Sequence, residues 1–175
     1  MKSTVLIFTP ALAFALSGCA KKPEAPQIQL TDVGFMLHLP PAMQHALDVV
    51  APGFRTIQTT SYRSDVAQAA ASAGGGFPAL FAATGDFDHD GTQDAVVEGT
   101  TPSDSALQVI VIMNGAKPKA IPVEEIATYD ADAVGIYLSG PTGGRTGAFE
   151  LVAYPDSSTL FTYSGGSFQG TKFSN

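Results

Sequence analysis

The spacing of apolar residues changes period several times along the chain. Met43, Ala46, Leu47 and Val50 fall at i, i+3, i+4 and i+7, one apolar face of a short helix with Pro41 near its first turn and Pro52-Gly53 at its end. A second helix is expected from about Ser64 to Ser72, where Asp65 sits near the start, alanines dominate, and Gly74-Gly75-Gly76 stops it. The rest reads as strands: Phe77–Thr84, Ala95–Glu98, Leu107–Met113, Val134–Leu138, Ala148–Tyr154 and Leu160–Tyr163. Leu107–Met113 is apolar on both faces, which marks a central strand. Gly140–Gly147, Pro155–Ser158 and Ser164–Ser167 carry the turn chemistry between strands. Short sequential strands with short connections predict an α+β fold: a sheet-dominated, antiparallel body with one or two short N-terminal helices.

The N-terminus has another pattern. Lys2 precedes an apolar run from Val5 to Leu16, broken by Thr9 and Pro10. Twelve helical residues rise about 18 Å, well short of a hydrocarbon core of about 30 Å, so the run suits a signal peptide and not a spanning helix. It ends in Leu16-Ser17-Gly18-Cys19, which resembles the bacterial lipobox. The resemblance implies a signal peptide over 1–18 and a lipid on the thiol of Cys19, the first mature residue. Ala20 after the cysteine, in place of Asp, implies by the same resemblance sorting to the outer membrane, facing the periplasm. The alternative is an ordinary secretory signal cut after Ala20. Residues 19–30, with Pro23, Pro26 and two lysines, read as a tether, and 31–175 as one globular domain.

Composition narrows the function classes. The 175 residues are 45% hydrophobic and only 14% charged, enough for one packed core. Nine basic against sixteen acidic residues give −7, with no dense cationic face for a nucleic-acid partner. A single cysteine leaves no internal disulfide framework and no cysteine-rich zinc site.

One stretch carries chemistry: Gly85-Asp86-Phe87-Asp88-His89-Asp90-Gly91-Thr92-Gln93-Asp94, followed by Ala95-Val96-Val97. Four aspartates stand at relative positions 1, 3, 5 and 9. Converging carboxylates repel one another; a divalent cation reverses the sign. Ca²⁺ takes about six to eight oxygens in irregular geometry, which an alternating aspartate loop supplies. Gly91 permits the bend, and the carbonyl of Thr92 is a further candidate ligand. An EF-hand would need a Glu at loop position 12, but that position counted from Asp86 is Val97. The loop at 86–94 is therefore expected to join two strands, with Asp94 closing the site.

The run Gly-Asp-Phe-Asp-x-Asp-Gly-x-x-Asp-x-Val-Val over residues 83–98 resembles the calcium loop of FG-GAP/VCBS-type repeats, found in integrin α-subunit propellers and many bacterial surface proteins. The resemblance implies Ca²⁺ held by the side chains of Asp86, Asp88, Asp90 and Asp94 and by the Thr92 carbonyl. The wider layout is similar to small bacterial lipoproteins with a helix ending in Pro-Gly-Phe (here Pro52-Gly53-Phe54), a single such loop and a C-terminal hairpin. A propeller needs about four to eight blades, and this chain has one copy of the motif, so a full propeller is not expected.

Weaker features favour plainer readings. His38, His45 and His89 are expected as satisfied or solvent-facing histidines, with His89 turned outward between the aspartates. Asp130, Asp132, Glu124, Glu125 and Glu150 show no spacing that separates an acid/base pair from a polar face. Tyr129, Tyr137, Tyr154, Tyr163 and Phe161 suit core or cross-strand packing better than a ligand groove. No Gly-x-Ser-x-Gly elbow or phosphate-binding Gly-Lys-Ser/Thr occurs.

The expected function is thus a lipid-anchored bacterial envelope protein, non-enzymatic, with one structural Ca²⁺ and the membrane as its partner through Cys19. Two other classes stay open: a calcium-dependent binding module for another envelope protein or a glycan, and a hydrolase with an unrecognised carboxylate pair.

Overall fold

The computed structural model describes residues 23–32, 34–74, 79–127, 129–131, 133–140 and 147–174. The expected signal segment 1–18 and Cys19 lie outside these residues. The described chain opens on a hairpin, β1 (Gln27–Thr31) with β2 (Gly34–His38), registered from Gln27 opposite His38 to Thr31 opposite Gly34. This corrects the far end of the tether expected over 19–30, because Gln27–Leu30 is paired strand. Ile28, Phe35 and Leu37 pack against the main core, and that burial, not local propensity, recruits the segment.

Helix α1 (Pro41–Val50) starts with Pro41 in its first turn and buries Met43 and Leu47. Val50, the last member of the expected stripe, stays 41% exposed. The two-residue strand β3 (Arg55–Thr56) and a 3-10 turn at Thr59–Ser61 lead to α2 (Ser64–Gly74). β4 (Ala82–Gly85), β5 (Asp94–Thr101), β6 (Asp104–Met113) and β7 (Lys119–Ile126) complete a five-stranded antiparallel sheet with β3. In it β6 flanks β5 on one side, and β3 and β4 share the other, β4 against Asp94–Val97 and β3 against Gly99–Thr100. The last four strands are β8 (Ile136–Ser139), β9 (Ala148–Ala153), β10 (Ser157–Ser164) and β11 (Ser167–Ser174), an antiparallel meander in chain order. Gly165-Gly166 closes the final hairpin with both φ angles positive, 61° and 88°, which a two-residue turn of matching twist requires.

The five-stranded sheet is buried on both faces. On one side Met43, Leu47, Val66, Phe81, Val97 and Ile110 form a core under the helices and the first hairpin. On the other, Val96, Val109 and Val111 meet Leu138, Phe149 and Phe161 of the second sheet. This double burial is why Leu107–Met113 is apolar on both faces, Gln108 apart, and β6 is the central strand its sequence predicts. The architecture is sheet-dominated and antiparallel with two helices, and neither sheet closes into a barrel. No helix among the described residues is long and apolar enough to cross a membrane.

Gly99 fixes the edge of the sheet. A Cβ there would stand 2.1 Å from the carbonyl oxygen of Arg55 and 2.7 Å from the ring of Phe54. The oxygen belongs to backbone and cannot rotate away, so Gly99→Ala is expected to detach β3 and destabilise the fold by about 1–3 kcal/mol. Chemical denaturation of the two proteins checks this, and a loss under about 0.5 kcal/mol, the usual size of a neutral surface change, would contradict it.

Candidate metal centre

The aspartate loop joins β4 to β5, as its spacing predicts, with Gly85 paired to Asp94 at its base. Phe87 anchors it: the side chain is fully buried, and its ring meets Phe149 edge-on at 5.4 Å. Holding Phe87 in the core leaves Asp86 and Asp88, its neighbours in sequence, to turn the other way. Two left-handed residues then curl the chain, His89 at φ 63° and Gly91 at φ 85°.

The fold brings Asp86, Asp88 and Asp94 together, with one carboxylate oxygen from each lying within 4.8 Å of the others. Asp94 is wholly buried, accepting the backbone N–H of Phe87 at 2.9 Å on Oδ2 and that of Asn114 at 2.8 Å on Oδ1. Burial pushes its carboxyl up to about 6, against the pull of those two hydrogen bonds and with the help of Asp88 and Asp90. Asp88 is raised too, by burial first and then by the charges of Asp90 and Asp86. Asp86 Oδ2 accepts the N–H of Gly91 at 3.0 Å, while its buried Oδ1 has no hydrogen-bond partner.

Asp90 is not part of this trio. Its Oδ1 accepts both the N–H and the hydroxyl of Thr92, at 2.7 and 2.6 Å, and those bonds hold its carboxyl below the usual range. Asp90 and Thr92, the latter expected as a ligand through its carbonyl, thus bond to each other across the bend through the N–H and hydroxyl of Thr92. Exposed His89 lies over Gly147, where a Cβ would stand 2.2 Å from Nε2. The histidines form no cluster: among the described residues, the one group of side chains placed to hold a metal is the aspartate trio.

The donor set fits a hard cation. It is all carboxylate, two of its members are raised by burial and mutual repulsion, and one buried oxygen lacks a donor. Asp86, Asp88 and Asp94 can therefore hold a metal ion. Comparison with protein-family models, with curated proteins and with solved structures found no match to this chain.

Two features escape the sequence pattern. Asn114, just past β6, donates its side-chain amide to the carbonyls of Gln93 and Glu24 and its backbone N–H to Asp94. It ties the aspartate loop to the chain just before β1. The second feature is Glu98 on β5, fully buried, hydrogen-bonded by the Tyr62 hydroxyl on Oε1 and with Oε2 lacking any partner. Burial lifts its carboxyl to about 8, against the hydrogen bond from Tyr62. Burial and the adjacent carboxyl push the Tyr62 hydroxyl upward as well. Strand alternation places Glu98 on the face of Val96, a signal legible only once both faces of β5 are known to be covered.

The aromatic side chains pack rather than line a groove. Phe161 is buried and stacks on Phe149 at 5.0 Å, and Tyr163 meets Phe168 at 5.1 Å. Glu124 and Glu125 lie on β7 and Glu150 on β9, while Asp132 is outside the described residues.

Proposed function

We propose that this chain is a lipid-anchored envelope protein, non-enzymatic, in which Asp86, Asp88 and Asp94 hold one structural Ca²⁺. The convergence of those three carboxylates, one of them with a buried oxygen that no donor satisfies, carries the reading. Calcium rather than magnesium suits the irregular loop, because Mg²⁺ demands near-ideal octahedral geometry. The ion would offset the burial, and the lesser mutual repulsion, that raise Asp88 and Asp94 and so pin the strand entering the loop to the strand leaving it. The anchor rests on the lipobox-like Leu16-Ser17-Gly18-Cys19, and the calcium assignment also draws on the likeness of residues 83–98 to an FG-GAP/VCBS loop.

Thermal unfolding of the full chain with Cys19→Ser, in EDTA and in millimolar CaCl₂, tests this. Tenfold calcium excess over Kd stabilises a one-site protein by about 1.4 kcal/mol. For a chain of this size that raises the midpoint by about 3–6 °C. Asp88→Ala is expected to remove the response. An unmoved wild-type midpoint, with no calorimetric heat of calcium binding, would refute the metal assignment. Labelling of the wild type, but not of Cys19→Ser, with radioactive palmitate in a bacterial host tests the anchor separately.

A further inference from the structure

Away from the metal loop, a cavity of about 420 Å³ opens between β2, α1 and β3. That volume falls in the range of about 300–1,000 Å³ usual for small-molecule sites. Its floor is core: Leu47, Phe81 and Val97 are all at most 4% exposed. Phe35, Leu37 and Phe54 rise from the floor as walls, each only partly buried although each packs against the core. As cavity lining they leave apolar surface that a ligand would cover.

The mouth differs in kind. Gln58 and Gln44 stand there as amides, the latter donating to Asp48 just outside at 2.9 Å, and Arg55 is the one charged residue lining the cavity. No ion pair or hydrogen bond engages its guanidinium among the described residues; the other arginine described, Arg63, is paired to Asp65. A lone cation over an apolar pocket, in a chain of net charge −7, is a local inversion of the protein's field. Its position is built into the fold. β3 is only two residues long and is seated on Gly99, the one residue that lets the Arg55 backbone and the Phe54 ring approach so closely.

We infer that this cavity binds a small amphipathic monocarboxylate, its apolar body against Phe35, Phe54 and Phe81 and its carboxylate on Arg55. The pairing follows from guanidinium geometry, which matches a carboxylate with two parallel N–H donors. A single guanidinium flanked by neutral amides balances one negative charge, which favours a monocarboxylate over a dianionic phosphate. The site is independent of the calcium reading, since none of its residues belongs to the metal loop.

Isothermal titration of the full Cys19→Ser chain with 4-phenylbutyrate, 4-phenylbutan-1-ol and 4-phenylbutylamine tests it. The carboxylate is expected to bind saturably at one site, more tightly than the alcohol, and the amine most weakly. Arg55→Gln should weaken the carboxylate about threefold to fivefold, the upper range for an exposed ion pair, and leave the alcohol unchanged. Leu37→Trp, which fills the cavity, should abolish binding of both. Should that variant lose its far-UV circular dichroism, Gln44→Trp on the solvent side of α1 blocks the mouth without entering the core. Absence of saturable heat at millimolar carboxylate would overturn the inference. So would an amine that binds as tightly as the carboxylate, or binding that survives the blocking tryptophan.

Discussion

Asp94→Ala is expected to destabilise the calcium-free protein by about 2–6 kcal/mol, before any loss of metal is counted. The carboxylate accepts two backbone N–H groups inside the fold, those of Phe87 and Asn114. Removing it orphans both, at about 1–3 kcal/mol for each buried unsatisfied donor. Asp88→Ala removes a partly exposed carboxylate that accepts the N–H of Asp90, so its cost without metal should be far smaller. The two variants thus separate scaffold from ligand: both lose the calcium response, and only Asp94→Ala collapses in EDTA. Urea denaturation in EDTA decides the matter. A midpoint for Asp94→Ala within experimental error of the wild type would mean that Asp94 does not organise the loop.

Stability is also expected to fall steeply as pH rises from 6 to 8, through Glu98. Its carboxyl titrates near 8 when folded, against an ordinary value of 4.5. Between those values the folded chain keeps a proton that the unfolded chain has released, so rising pH favours unfolding. Each pH unit within the window removes about 1.4 kcal/mol, and the full span is worth of order 5 kcal/mol. Below pH 6, Asp94 shares the trend when no metal is bound, because its carboxyl is raised to about 6. The window from 6 to 8 is therefore the diagnostic one, with a loss of about 2 kcal/mol expected there. Glu98→Gln carries no proton to lose and should flatten the dependence across it. A wild type whose unfolding free energy is level between pH 6 and 8 would show that Glu98 ionises freely in the fold.

What could be read in advance followed from local periodicity. The apolar run of β6, the heptad-like spacing of α1 and the alternating aspartates each specify their own structure within ten or so residues. The missed elements depend on partners distant in sequence. β7 carries Pro122, which suits an edge strand and argues locally against any strand. β11 is polar almost throughout because it is an exposed edge, held by its register with β10. β1 looked like linker because its prolines and lysines lie just before Gln27, while Ile28 finds its apolar partners only across the hairpin and the core. Within the site, the spacing named Asp86, Asp88 and Asp94, which the fold brings together, and did not show the bonds between Asp90 and Thr92. Alternation does not reveal that a threonine two residues on will capture an aspartate. Asn114 and Glu98 were invisible for the opposite reason: their roles exist only through Asp94 and Tyr62, 20 and 36 residues away.

The Asn114 amide has a mechanical consequence. It grips the carbonyl of Glu24, so the chain passes the metal loop before turning into β1. Tension on the N-terminal segment would reach Asn114 first, then Gln93 and Asp94 through the same side chain and its backbone. A pull on the chain before Glu24 would thus load the aspartate loop ahead of the first hairpin. Under the proposed function, the loop would be the point where external force and ion occupancy meet.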